Sequence, residues 1–143
     1  MKILVIGNGG REHAIVWKLA ASPVVNKIYC SPGNGGTANL AENVPFESIA
    51  AAAEFVLAKG IDLTVVGPEV YLAAGIVDYF QSKGLAIYGP TKAAAQLESS
   101  KVFSKEFMKQ YQIPTAAYQS FSDPEAAKAF IRELGVPLVV KAD

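Results

Sequence analysis

The sequence predicts an α/β fold, a mostly parallel sheet with helices on both faces and right-handed crossovers. Two observations carry this reading. Apolar runs of strand length alternate with helical patterns four times over, the order of a parallel sheet. Glycine- or proline-bearing loops also follow the strands in turn, at residues 7–10, 32–33, 67–68 and 89–90. Such residues end strands in any fold. In a parallel sheet, however, these loops share the carboxyl-terminal edge, where ligands collect.

Each element has a local reason. Residues 1–6 are an apolar strand that turns through GNGG into REHA. A helix follows over 11–21, with Ile15 and Leu19 four apart, and Pro23 stops it. Residues 27–30 form a second strand, and SPGNGGT at 31–37 is a loop. The alanine-rich helix at 48–59 puts Ile49, Ala52, Ala53 and Val56 on one face and ends at Gly60. Residues 63–66 are a third strand. The next helix, 71–83, carries the stripe Ala73, Ile76, Val77 and Phe80, and 85–88 is a fourth strand. Residues 92–111 are helical in pattern, with a break near Ser99 and Ser100.

The texture changes after residue 112. Residues 117–121 read as a strand, Ser122 to Glu125 as a capping box opening a helix to Leu134, and 138–143 as a last apolar strand. One helix and two strands are too little core to fold alone. The expected division is therefore a first domain over 1–112 and the beginning of a second over 113–143, its remainder absent.

Bulk composition narrows the function. A chain of 143 residues holds one ordinary domain, or one and part of another. With 51% hydrophobic and 18% charged residues it suits a buried core and not a disordered segment. Thirteen basic side chains balance thirteen acidic ones, which leaves no broad field for nucleic acid or an anionic membrane. Cys30 is the one cysteine, so it forms no internal disulfide, and it reads as a small buried hydrophobe. No apolar stretch approaches the roughly 20 residues of a membrane span, and no signal peptide is evident. A cytoplasmic monomer is the expectation.

The opening stretch carries the chemistry. A strand that turns through glycines into a helix presents N–H groups and the positive end of a helix dipole to an anion. Gly7 and Gly9 fill the first two positions of a dinucleotide GxGxxG, but the third is Glu12. The second strand also ends Tyr29, Cys30, Ser31, Pro32, without the acid that would hold a ribose 2′-hydroxyl. That spacing argues against NAD and for a smaller anion. Gly9 and Gly10 let backbone approach a phosphate, and Arg11 adds a bidentate clamp. Glu12 repels an anion, so a hydroxyl or amine is its expected contact. Plain structural readings stand beside these: Arg11 as surface, Glu12 as helix electrostatics, His13 as a hydrogen-bonded packing residue.

The motifs GNGGREHA at 7–14, SPGNGGTA at 31–38, VVGPE at 65–69 and GPTKAAAQLE at 89–98 resemble the glycinamide ribonucleotide synthetase (phosphoribosylamine–glycine ligase) family. SK at 100–101, IPTA at 113–116 and VVKAD at 139–143 continue the resemblance in order, although Ser99 stands where the family pattern carries glycine. The resemblance implies a Rossmann-like pre-ATP-grasp domain followed by the start of an ATP-grasp domain. It also implies an ATP-dependent carbon–nitrogen ligase of purine synthesis, with magnesium on the ATP phosphates. The implied reaction joins 5-phosphoribosylamine to glycine through an acyl phosphate, giving glycinamide ribonucleotide, ADP and phosphate.

By the same resemblance Gly9, Gly10, Arg11, Glu12 and His13 line the substrate side, completed by Pro32, Gly33, Asn34, Gly36, Gly67, Pro68 and Glu69. Lys101 and Lys141 contact ATP, and the magnesium ligands lie beyond Asp143, so this portion is inactive alone. A lysine within an apolar strand needs a partner, which supports Lys141 separately; on sequence alone Lys101 is a solvated helix lysine. A non-catalytic module binding a small phosphorylated molecule is the alternative reading. A biotin-carboxylase-like enzyme would share the architecture, but not REHA together with PGNGGT.

Overall fold

In the computed structural model, which describes all of residues 1–143, the chain forms two compact units, 1–95 and 96–143. The first contains a five-stranded, wholly parallel sheet. Its strands are β1 (Lys2–Gly7), β2 (Lys27–Pro32), β3 (Glu42–Asn43), β4 (Leu63–Val66) and β5 (Ile87–Tyr88), in the order β3-β2-β1-β4-β5. The expected α/β architecture is present.

Alternation along β1 divides the core. Successive side chains of a strand point to opposite faces, and a parallel strand buried on both faces reads as a continuous apolar run. Ile3 and Val5 pack with Val16 of α1 (Gly10–Ala20), Ile28 and Cys30 on one face. Leu4 and Ile6 pack on the other with Ala52, Ala53 and Val56 of α2 (Ile49–Lys59), and with Val66, Leu72, Ile76, Val77 and Phe80. The Ser48 side chain caps α2 by accepting from Ala51 N–H at 3.1 Å, and Gly60 ends it at φ 60°.

Two expected elements differ, and a third element, β3, was not expected. The helix read over 71–83 is two, α3 (Glu69–Ala73) and α4 (Ile76–Ser82), because Gly75 takes φ 88° between them. The strand read over 85–88 is paired only at Ile87–Tyr88, since Leu85 N–H turns back to Phe80 O at 2.9 Å. The two-residue β3 was below the length at which alternation can be read.

The second unit is helical. The pattern over 92–111 breaks as expected, into α5 (Lys92–Ser99), which crosses the unit boundary, and α6 (Lys101–Gln110), with Ser100 accepting from Phe103 N–H at 3.0 Å. Helix α7 (Pro124–Leu134) is capped by Asp123, not Ser122: its carboxylate accepts from Glu125 and Ala126 N–H at 3.2 and 3.1 Å. Residues 117–121 and 138–143 are not strands. Both have strand-like composition, but a strand exists only where a neighbour completes its hydrogen bonds, and neither has one. No apolar side chain of this unit is buried; the one buried residue is Ser104.

Two outcomes test this packing. Phe80→Ala removes a ring that is 0% exposed and should lower the unfolding free energy by about 3–5 kcal/mol, read as a lower urea midpoint at unchanged slope. Burial, its main perturbation, pushes the Cys30 thiol above its usual pKa. An unfolded thiol ionises at about pH 8.5 while the folded one stays protonated, so the stability that the buried thiol contributes falls as pH rises past that value. A thiol reagent at pH 8 should leave native protein unlabelled and modify Cys30 only in denaturant; rapid native labelling would contradict its burial.

Candidate functional site

The sheet register brings the predicted loops to one edge. Gly7 lies beside Pro32 and Ile6 beside Val66, so β1, β2 and β4 end side by side. The backbone continues that alignment past the strands, with Gly33 N–H donating to Gly7 O and Gly67 N–H to Ile6 O, each at 3.1 Å. Val65 pairs with Tyr88, which places Gly89 at the same edge. All four loops expected on one rim are there.

Helix α1 starts at this rim. Its ladder begins with His13 N–H donating to Gly9 O at 3.1 Å, which leaves the N–H groups of Gly10, Arg11 and Glu12 ahead of it at the positive end of the helix dipole. Gly10 has open space where a Cβ would stand. Arg11 is exposed, and its Nη2 lies 3.4 Å from Glu69 Oε2, joining the start of α1 to the start of α3. Pro68 is the N-cap of α3.

Glu12 sits differently from its expected role. Its side chain turns back under the rim, only 2% exposed, where Oε2 accepts from Gly9 N–H at 2.7 Å and Oε1 has no partner. Glycines make the room: a methyl at Gly7 or Gly67 would overlap this side chain, and one at Gly9 would stand 2.9 Å from Oε2. A contact from Glu12 to a substrate hydroxyl or amine would need this carboxylate to leave its place, so the structure assigns it to the floor of the rim.

The loop after β2 closes over the same corner. Asn34 Nδ2 donates to Asn8 O at 2.8 Å and Gly9 O at 3.3 Å, while its Oδ1 accepts from Gly36 and Thr37 N–H at 2.8 and 3.0 Å. Such a side-chain turn is a property of asparagine ahead of glycine. The half-buried His13 ring lies against Gly36, where a methyl would collide with it, and with Gly10, Ala14 and Trp17 it borders an open groove of about 260 Å³. A larger groove of about 470 Å³ runs past Val25, Ile28, Leu40 and Glu42 and includes none of the predicted residues. The rim gathers the first-turn N–H groups of α1 and the Arg11 side chain, whereas the lysine that lines the larger groove, Lys27, is already paired with Glu42 at 2.7 Å.

Gly9 to His13, Pro32, Gly33, Asn34, Gly36, Gly67, Pro68 and Glu69 all belong to this edge of the first unit. Asn8, Thr37 and Asn43 join them unpredicted. Thr37 was readable as the end of an asparagine-led turn, whereas Asn43 carries no sequence signal.

Lys101 and Lys141 belong to the second unit. Lys101 opens α6 and its Nζ donates to Glu98 O at 2.8 Å. Lys141 is exposed and outside any strand, so burial in an apolar strand does not support it. At the N-terminus of α6 the Asp143 carboxylate accepts from Val102 N–H and Ser100 Oγ, each at 2.9 Å, and those bonds hold it below the usual carboxylate range. His, Cys, Asp and Glu side chains nowhere gather in threes, so the residues present do not themselves form a divalent-cation site. No helix is long and apolar enough to cross a membrane.

The floor of the rim yields a sharp expectation. Gly67→Ala should destabilise the first unit by about 1–3 kcal/mol through overpacking, and Glu12→Ala in the same chain should recover part of that loss. Strict additivity of the two changes in urea titrations would show that Glu12 is not the obstacle.

Residues 1–98 match the family model described as phosphoribosylglycinamide synthetase, N domain, and residues 99–143 match the ATP-grasp (A) domain of the same synthetase. The phosphoribosylamine–glycine ligase of Ralstonia nicotianae is 55% identical over 145 residues, covering 100% of this chain and 34% of that protein. The crystal structure of the phosphoribosylamine–glycine ligase of Thermotoga maritima is 32% identical, with a TM-score of 0.63 over 93% of this chain and 30% of that one. The biotin carboxylase domain of Hydrogenobacter thermophilus 2-oxoglutarate carboxylase, at 21% identity, shares the fold alone: TM-score 0.65 over 95% of this chain and 33% of that one. The chain spans about a third of the length of the curated relatives it matches. With the N-domain model matched across residues 1–98, the chain belongs to the phosphoribosylglycinamide synthetase family.

Proposed function

We propose that this chain is the N-terminal, substrate-holding portion of a cytoplasmic phosphoribosylamine–glycine ligase of purine biosynthesis, acting as a monomer on small molecules. The observation that carries the reading is the rim itself. First-turn N–H groups of Gly10 and Arg11 stand at the start of α1 with open space at Gly10, and the exposed Arg11 guanidinium reaches Glu69 Oε2 at 3.4 Å beside them. This arrangement suits one phosphate monoester. The proposed occupant is the phosphate of 5-phosphoribosylamine, which competes with Glu69 for Arg11.

The whole ligase would join the amine of that sugar to glycine. ATP converts the glycine carboxylate to an acyl phosphate, the amine displaces phosphate, and glycinamide ribonucleotide and ADP leave. Magnesium, when bound, neutralises charge on the ATP phosphates. This chain's share is to bind and orient the phosphoribosyl group. Gly33, Asn34 and Gly36 border it on one side, Gly67, Pro68 and Glu69 on the other. The reading gives the nucleotide side to the second unit, where Lys101 and Lys141 are its candidate ATP contacts.

Calorimetric titration of the chain with glycinamide ribonucleotide and, separately, with NAD tests this. Saturable heat is expected with the ribonucleotide and none with NAD. Arg11→Ala should weaken the ribonucleotide about tenfold or more, as loss of a charge-assisted bond does. Saturable heat with NAD alone would overturn the reading.

A further inference from the structure

Between β2 and the end of β3 lie two polar side chains, Thr37 and Asn43, that ligand binding, as proposed above, does not itself use. Thr37 is 0% exposed, and its hydroxyl accepts from Asn34 N–H at 2.7 Å. The single hydroxyl proton has two acceptors in reach, Asn34 O at 2.9 Å and Asn43 Oδ1 at 2.8 Å. Asn43 Nδ2 in turn donates to Asn34 O at 2.9 Å. Asn43 is the second residue of β3, in register with Cys30, and its side chain lies against Gly33 so closely that a methyl there would overlap it.

These bonds form one chain of contacts. Asn43 is fixed by the sheet, Thr37 and the backbone of Asn34 are fixed by Asn43, and the Asn34 amide reaches Asn8 O and Gly9 O at the start of α1. The loop they hold contains Gly33, Gly35 and Gly36, which on their own leave backbone free to sample many conformations. A buried hydroxyl bonded on both its donor and acceptor sides selects one of them.

We infer that Thr37 and Asn43 are positioning residues for the anion rim. They touch no ligand; they hold Asn34 in the conformation that clasps the β2 loop to the α1 corner. The inference rests on the substrate reading given above, because the rim they position is that phosphate site.

Four variants of this chain test it, Thr37→Val, Thr37→Ser, Asn43→Ala and Asn43→Asp, each followed by thermal melting, titration with glycinamide ribonucleotide and amide hydrogen exchange. Thr37→Val keeps the shape and removes the hydroxyl; Asn43→Asp keeps the acceptor and turns an oxygen towards Asn34 O. Both, and Asn43→Ala, should lose about tenfold in ribonucleotide affinity, with exchange at Gly36 and Thr37 accelerated by a similar factor. Thr37→Ser, which restores the hydroxyl, should bind as the parent does.

A merely structural role would lower melting in all four and leave the affinity of the folded fraction unchanged, and that outcome overturns the inference. So does unchanged exchange in variants that fold. If Thr37→Val fails to fold, Asn43→Asp decides by the same two measurements. A parent chain that takes up no ribonucleotide defeats the substrate reading instead. The clasp is then decided by exchange alone, faster exchange in the two Asn43 variants upholding it and unchanged exchange overturning it.

Discussion

A carboxyl group buried among glycines sets the geometry of the functional edge. Removing such a group from water is costly unless hydrogen bonds replace its solvent, and Glu12 has one such bond, from Gly9 N–H. What the rest of the edge supplies is space: Gly7 at the end of β1, Gly9 before α1 and Gly67 after β4 all yield their side-chain volume to Glu12. The loops leaving two strands are thereby fitted to one residue. A nucleotide fold of the GxGxxG kind solves the same crowding the other way, with the side chain omitted from the helix. Here the helix keeps the side chain and the strand ends give it up. Dinucleotide architecture and this one share a fold while differing in which partner is small.

Much of that arrangement was legible in the residues. Alternation between Ile3 and Val5 on one face and Leu4 and Ile6 on the other follows from strand geometry, and the four glycine or proline loops had to meet wherever a parallel sheet put its carboxyl ends. Arg11 at the rim followed too, whereas Glu69 came only from the family resemblance. The direction of Glu12 did not, because a side chain's choice between solvent and floor depends on the vacancy at Gly67, 55 positions away. Asn43 was unreadable for a related reason. Its meaning comes from Gly33 and Thr37 across a turn, and a two-residue strand has no period.

The failures beyond residue 112 have a different origin. Residues 117–121 and 138–143 have the composition of strands, and composition is all that local reading weighs. Pairing is a property of neighbours. In the same unit Phe103, Phe107 and Tyr111 follow one another along α6 and its C-cap with ring centroids 6.3 and 4.5 Å apart, and Phe121 meets Phe130 at 5.3 Å. These aromatic side chains are arranged but not buried. The family model matched by residues 99–143 is described as the ATP-grasp (A) domain of the synthetase.

The brevity of β3 and β5 matters for the first unit in company. An open sheet ends in strands whose outward N–H and C=O groups can recruit another chain, and natural sheets blunt that tendency with short or charged edges. Both edge strands here are two residues long. At the β3 edge Lys27 and Glu42 form an ion pair at 2.7 Å, partly open to solvent. The same two-residue strand that delivers Asn43 to the loop therefore also leaves an incoming chain almost nothing to zip onto.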